Sequence, residues 1–298
     1  MRTRPSLLLG LTFVLTVLPV WAADGDKKVE SQKAAATANL SKAGLKKVAT
    51  VETANLLVIS SLPEAKTKPL AEAAQKVFTF SRAALKLDEK EELWPGKLTV
   101  VVLADSREYT SYIRVATQQR PDGKDWFSIN TRGETPTASV FVDLDGKPKD
   151  ADVQATVSAI VAATLLNKKA GTNTTTGPLP EWAQIGFGKV MVARSVGGAA
   201  LSDYRSKSKA LLTGKKAAPV RIADVWGGVK TKDSDLAAAS LVEYMLYGTE
   251  GDKFFAFVAG FKPTETVAMP TIDSALEAAG WKWDNLEVGW KVWASKQK

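Results

Sequence analysis

The segment Pro180-Glu181-Trp182-Ala183-Gln184-Ile185-Gly186 divides the chain into two stretches of different character. Before it, apolar runs with β-branched members alternate with segments of helical period; after it, the pattern is almost wholly helical. Upstream, Asn55-Leu56-Leu57-Val58-Ile59-Ser60 reads as a strand bounded by polar residues. Leu98–Leu103 has the continuous apolar character of a strand covered on both faces. Trp126–Asn130 and Ala138–Leu144 are two further strands, the second alternating through Val140, Val142 and Leu144. Pro69 opens a helix through Leu70, Ala73, Ala74, Val77, Phe80 and Ala84. Asp105 or Ser106 caps another, to about Thr117, and Asp152 caps one from Val153 to about Lys168. Trp94-Pro95-Gly96 and Pro121-Asp122-Gly123 are turns. Downstream, helices are expected at about 181–195, 199–213, 234–247, 251–261, 271–279 and 284–296. Strands and helices followed by helices alone predict an α+β fold, with a small mixed N-terminal sheet and a helical C-terminal lobe. The lobes are expected over 51–180 and 181–298.

The N-terminus reads as an export signal. Arg2 and Arg4 precede an apolar run from Leu7 to Val20, and Val20-Trp21-Ala22 puts small residues at the −3 and −1 positions of a cleavage site. Residues 1–22 are therefore expected to be a signal peptide, and the product to be secreted or periplasmic without stable membrane insertion. Residues 23–50, rich in Lys, Ala and Ser, read as a flexible leader or a loosely attached helix. The formal charge of +8 falls to +6 once Arg2 and Arg4 are removed. Its basic residues are scattered, with small clusters such as Lys168-Lys169 and a looser group from Arg205 to Lys216. That distribution fits a solvated surface with a weak preference for acidic polysaccharide or a membrane surface. Export makes nucleic acid an unsuitable partner.

The chain has no histidine and no cysteine. Disulfides are excluded, as are Ser-His-Asp and Cys-His mechanisms. Only oxygen donors remain for a metal, and these suit Ca²⁺ or Mg²⁺ better than zinc. Asp143-Leu144-Asp145-Gly146, with Asp150 and Asp152, loosely resembles a calcium loop but lacks EF-hand spacing; a strand end, a turn and a helix start explain it more simply. Trp281, Trp283, Trp290 and Trp293 fit core packing better than a sugar platform. Glycosylation triplets stand at Asn39 and Asn173.

Pro180–Gly186 resembles the P-x-W-x-x-E-G element of thermolysin-like zinc peptidases, the gluzincins, in particular small exported bacterial proteins with a peptidase-MA-like domain. The resemblance extends over roughly 55–298, through element order, Trp94-Pro95-Gly96-Lys97 and the tail from Leu286 through Trp290 and Trp293. In that family the Glu before Gly is the third zinc ligand, and a helix about twenty residues earlier carries H-E-x-x-H, whose residues four apart share one helical face. Here that helix ends in Leu165-Leu166, like the family's H-E-x-x-H-x-L-L, which places the metal positions at Ala159 and Ala163 and the catalytic position at Ile160. A one-residue shift gives Ser158, Ala162 and Ala159 instead. Ile185 stands at the third-ligand position. The resemblance thus implies a gluzincin-like scaffold with a vestigial site, no bound metal or cofactor and no peptidase activity. Its role would be to bind an unidentified protein or polymer of the cell envelope. The expected cleft lies beside the 153–166 helix and the 171–180 loop, lined by Glu181, Trp182 and Gln184. A competing expectation is a hydrolase of an extracellular polymer that uses paired carboxylates, with Glu181 and Asp203 as the nearest acids; a structural envelope protein is a third.

Overall fold

The computed structural model describes residues 21–123, 125–131, 135–172, 179–214, 220–228, 231–265, 268 and 270–297. Residues 1–20, which carry most of the expected signal peptide, lie outside that set, as do Asn173 and Lys215–Pro219. Among the described residues no helix is long and apolar enough to cross a membrane.

Five strands form one mixed sheet. They are β1 (Ala49–Glu52), β2 (Leu56–Ser60), β3 (Leu98–Leu103), β4 (Phe127–Asn130) and β5 (Thr137–Phe141), in the order β1-β2-β3-β5-β4. The three central strands are parallel and the two outer ones antiparallel to their neighbours. Helices cover both faces, which is why β2 and β3 are apolar without alternation. One face, with Leu56, Val58, Val100, Val102, Ala138 and Val140, packs under α2 (Glu64–Ala84) and α4 (Asp150–Ala170). The other, with Leu57, Ile59, Val101 and Leu103, is covered by α1 (Trp21–Lys42) and α3 (Ser106–Thr117). The α+β architecture is as expected, and the first core cluster runs on from the sheet into the helical half without a break.

Several expectations need correction. The stretch read as a flexible leader or a loosely attached helix is a helix followed by an edge strand, and the helix is docked on the sheet. Leu40 and Ala36 bury against the sheet, while Gln32 Nε2 donates to the Pro95 and Lys97 carbonyls at 3.2 and 3.0 Å. Its Oε1 accepts from Lys97 N–H at 3.1 Å. Periodicity missed this helix because only about one residue per turn is buried (Val29, Gln32, Ala36, Leu40), and one of those is polar. Pro69 does not open α2 but lies inside it; Pro63 is the N-cap. Pro69 and Ala65, whose carbonyl loses a donor to the missing N–H, both face solvent. Asp152 is not the cap of α4, whose N-cap is Lys149; Asp150 and Asp152 sit in the first turn, where their charge opposes the helix dipole. The 251–261 segment divides into a 3₁₀ turn (Gly251–Lys253) and a short helix (Phe254–Ala259).

The helical half comprises α5 (Glu181–Val196), α6 (Gly198–Thr213), α7 (Ile222–Trp226), α8 (Ser234–Tyr247), α9 (Phe254–Ala259), α10 (Ile272–Ala279) and α11 (Trp283–Lys296). Helix α5 is clamped between α4 and α8, and two glycines set the spacing. A Cβ on Gly188 would lie 2.4 Å from the Ala159 carbonyl oxygen of α4, and one on Gly186 would lie 2.6 Å from that of Ala238 in α8. These positions are two residues apart and so face opposite sides of α5. Deeper in the helical half, Glu243 of α8 is fully buried and accepts from Arg194 of α5 at 2.7 Å and Arg205 of α6 at 3.2 Å. Burial, reinforced by the Glu243 charge, pushes the neighbouring Tyr204 hydroxyl well above the ordinary phenol range.

Gly188→Ala forces a backbone shift that the flexible end of a side chain cannot absorb. Urea unfolding of the variant is expected to show a loss of about 2–3 kcal/mol relative to the parent.

Candidate functional site

Helix α4 is buried on every side. The residues from Val157 to Asn167 are all inaccessible or nearly so, which a helix that is apolar all round requires. Ile160 and Ala163 are 0% exposed, Ala159 7% and Ile185 4%. Ala159 Cβ faces the backbone of α5, lying 2.8 Å from where a Gly188 Cβ would stand. An imidazole at 159 has no room there. In the shifted register Ala162 is also fully buried, and the buried Ser158 hydroxyl has no hydrogen-bond partner among the described residues. The positions in α4 that the family resemblance marks therefore form packing surface, and α4 lines neither of the grooves described next. The cleft expected beside the 153–166 helix lies instead at the N-terminus of α5.

Two depressions meet at that terminus. The larger, ≈ 560 Å³, runs along β4. Its walls are α3 (Tyr109, Ile113, Thr117), the strand residues Phe127 to Asn130, and Leu179, Glu181 and Gln184; Arg120, Asp125 and Trp126 stand near one end. The smaller, ≈ 170 Å³, is lined by Trp182, Ile185, Val225, Trp226 and Ala238, with Glu181 and Asp235 at its rim. Glu181 lines both. Asp235 is paired with Lys189 at 3.0 Å.

Hydrogen-bond direction makes the larger groove informative. Trp126 pairs opposite Phe141, whose N–H donates to the Trp126 carbonyl at 3.2 Å. Antiparallel pairs alternate between bonded and non-bonded. Ser128 and Asn130 thus also direct their main-chain groups to β5, opposite Ser139 and Thr137. The N–H and C=O groups of Phe127 and Ile129 point the other way, and β4 is the last strand of the sheet. All four consecutive residues of β4 line the groove, as they must if it follows the strand edge. Tyr109 also lines it. Burial raises its hydroxyl pKa far above the usual value, and the Asp125 charge adds to the shift, so the group stays a neutral donor.

Each remaining expected site residue has a definite place. Trp182 is 8% exposed and stacks on Trp226 at 5.7 Å, within an aromatic cluster that continues to Trp283, Phe257 and Trp281. Trp290 is buried, with Nε1 donating to Ser240 at 3.1 Å, and Trp293 packs on Tyr244; the four C-terminal tryptophans do not form one platform. Asp203 stands on α6 paired with Lys207 at 2.7 Å and lines neither groove, so the acid that shares the larger groove with Glu181 is Asp125. Asp150 is bound to Lys66 at 3.2 Å, and no group of three or more acids is placed to hold a metal among the described residues. Asn39 lies half-buried within α1.

Gln184 is less a free lining residue than part of a buried amide network. Its Oε1 accepts from Asn167 Nδ2 at 2.9 Å, and its Nε2 donates to the Leu179 carbonyl at 2.5 Å. Asn167 Nδ2 also donates to Ala163 O, while Oδ1 accepts from Thr172 Oγ1 and Leu179 N–H at 2.9 and 3.2 Å. This network, which joins the end of α4 to the start of α5, was missed from sequence. Its signal is an Asn inside an apolar helix with a Gln in the next, residue types that need buried partners.

No family model and no curated protein matches this chain.

Asn167→Ala removes the partners of Gln184 Oε1 and the Leu179 N–H together, while the Thr172 hydroxyl retains only the Asn167 main-chain carbonyl at 3.3 Å. Chemical denaturation is expected to show a loss of about 3 kcal/mol, and amide exchange at Leu179 and nearby α5 to quicken.

Proposed function

We propose that this protein is a peptidase-like binding protein without catalytic activity, acting outside the cytoplasm and holding an extended chain along β4. The observation that carries this reading is the outward N–H and C=O of Phe127 and Ile129 along a groove of ≈ 560 Å³. An extended peptide that adds as a strand there gains main-chain hydrogen bonds, and its alternate side chains meet the groove walls. Tyr109, Ile113 and Trp126 offer apolar contact, while Arg120, Asp125 and Glu181 supply charge at the ends.

The chemistry of the marked positions supports binding rather than hydrolysis. Ala159, Ile160, Ala163 and Ile185 present no donor atom to a metal and no base to a water molecule. The role outside the cytoplasm rests on the basic and apolar N-terminus. The partner class is an extended polypeptide of the envelope, bound without a cofactor.

The test is selection from a displayed random-peptide library, followed by measurement on two variants. Phe127→Ala and Phe127→Pro both lose the phenyl ring that packs on Trp126 and the core, but only proline also removes the N–H that faces the groove, and it is tolerated on an edge strand whose N–H points away from the sheet. Selected peptides are expected to bind Phe127→Pro about fivefold to tenfold more weakly than Phe127→Ala, in line with one hydrogen bond, with the two variants melting at similar temperatures. Equal affinity for the two variants would show that the chain does not add to β4. Peptidase activity abolished by a chelator would remove the proposal altogether. Turnover of a polysaccharide that is lost in Glu181→Gln would replace it with the carboxylate hydrolase.

A further inference from the structure

Lys168-Lys169, prominent in the sequence, belongs to a cationic face that lines neither groove. Lys86 Nζ lies 5.2 Å and Lys169 Nζ 5.4 Å from the ring centroid of Phe255 in α9, so two ammoniums share one phenyl ring. Lys168 Nζ is 5.9 Å from the Trp94 ring. The stem of Lys262 crosses the end of α4, its Cδ 3.3 Å from where a Cβ on Gly171 would stand. The four lysines come from separate segments: the residues just after α2, the last turn of α4 and the turn after α9. Lys86 and Lys262 are exposed, and Phe255 is half-buried among them.

Among the described residues these charges have no acidic partner. None of the four makes a salt bridge there, although Asp88, Glu89, Glu91 and Glu92 follow Lys86 and Asp252 precedes Phe255. Asp88 and Glu92 instead accept main-chain N–H groups of their own loop, from Lys90 and Gly96. The C-termini of α2 and α4 face the lysines and account for part of the arrangement. Each supplies roughly half a negative charge, together about one against four ammoniums, and the five acids of the neighbouring segments stand beyond ion-pair distance of all four lysines. Two like charges on one ring repel each other, and an anion brought to the face relieves that repulsion.

We propose that this face adsorbs to an anionic phospholipid surface. Its charges are spread over several segments instead of converging in a cleft, which suits a broad partner. At its centre are an apolar ring and the methylene stems of the lysines, an arrangement that matches the boundary between headgroups and acyl chains. Contact is peripheral, through side chains.

Co-sedimentation of the full chain with vesicles tests this. Binding is expected to phosphatidylcholine vesicles containing phosphatidylglycerol, to weaken steeply with salt, and to be absent with phosphatidylcholine alone. Each lysine near such a surface contributes about fivefold in affinity. K86Q and K169Q are expected to lose about that factor singly and roughly twenty-five-fold together, with the parent melting temperature retained. K207Q/K209Q, which removes the same charge from the exposed side of α6, is expected to bind as the parent does. Several outcomes would overturn the proposal: failure to sediment with anionic vesicles, equal binding to neutral ones, or equal losses in the two double variants. Soluble polyphosphate that binds the parent as tightly as vesicles and displaces it from them would also overturn it, in favour of a charged polymer.

Discussion

The contact between Gly188 of α5 and the Ala159 backbone of α4 is the constraint on which the rest of this structure depends. With hydrogen at Gly188 and a methyl at Ala159, the two helices pack close along their shared length, and α4 disappears into the core. Gly186, on the opposite side of α5, admits α8 equally closely at Ala238. Three helices are thereby held together, with α4 the one that packs on the sheet. A functional helix carrying imidazoles and a carboxylate needs an open, polar face and partners for every buried heteroatom. Here α4 offers only small side chains and dispersion contacts on that face. A histidine at 159 would meet the α5 backbone, so placing a metal there would require the helices to separate, not a simple change of side chain.

Close apolar packing fixes how far apart the helices lie but not their axial register or the path of the chain between them. Polar groups do that at each end of α5. At its start, Asn167, Gln184, Thr172 and the Leu179 main chain satisfy one another in a dry environment, where an unpaired amide costs about 1–3 kcal/mol. Towards its end, Arg194 meets the buried Glu243 together with Arg205. The first of these networks sets the position of Leu179 to Gln184, which are the residues that close the groove beside β4. The candidate site thus depends on a largely buried polar network, of which Leu179 and Gln184 border the groove.

Much of this architecture was legible in the sequence. The strands β2 and β3 were visible as apolar runs because helices cover both faces, and α4, α5 and α8 because each carries a long apolar surface. The limits of α8 could be read closely, since Asp233 and Gly248 flank a segment that is buried for most of its length. What escaped reading has a common physical character. Helix α1 buries only a narrow stripe, β1 is a short edge strand paired on one side, and α7 is a single turn and a half; none produces a periodic signal long enough to detect. The site was legible only as residue types. Glu181 and Gln184 could be named, but β4 and α3 supply most of the groove, and their meeting with α5 is set by chain packing over long sequence separations.

The edge of β4 gives the functional reading its strongest physical footing. Unpaired main-chain groups on a terminal strand invite unwanted pairing, and folded proteins usually blunt such edges with charge, proline, brevity or a covering segment. Strand β1, at the other end of the sheet, ends in Glu52, which is paired with Lys97, so a charge is fixed beside that edge. Strand β4 is as short, but it carries Phe127, with Trp126 packed edge-on against it at 4.8 Å, and it has no lysine or proline within it. Aromatic groups beside an edge that pairs with no other described strand are an aggregation hazard. Set within a groove lined also by Arg120, Asp125 and Glu181, the same edge admits one chain in a restricted geometry, and that is the physical ground for proposing that it binds one.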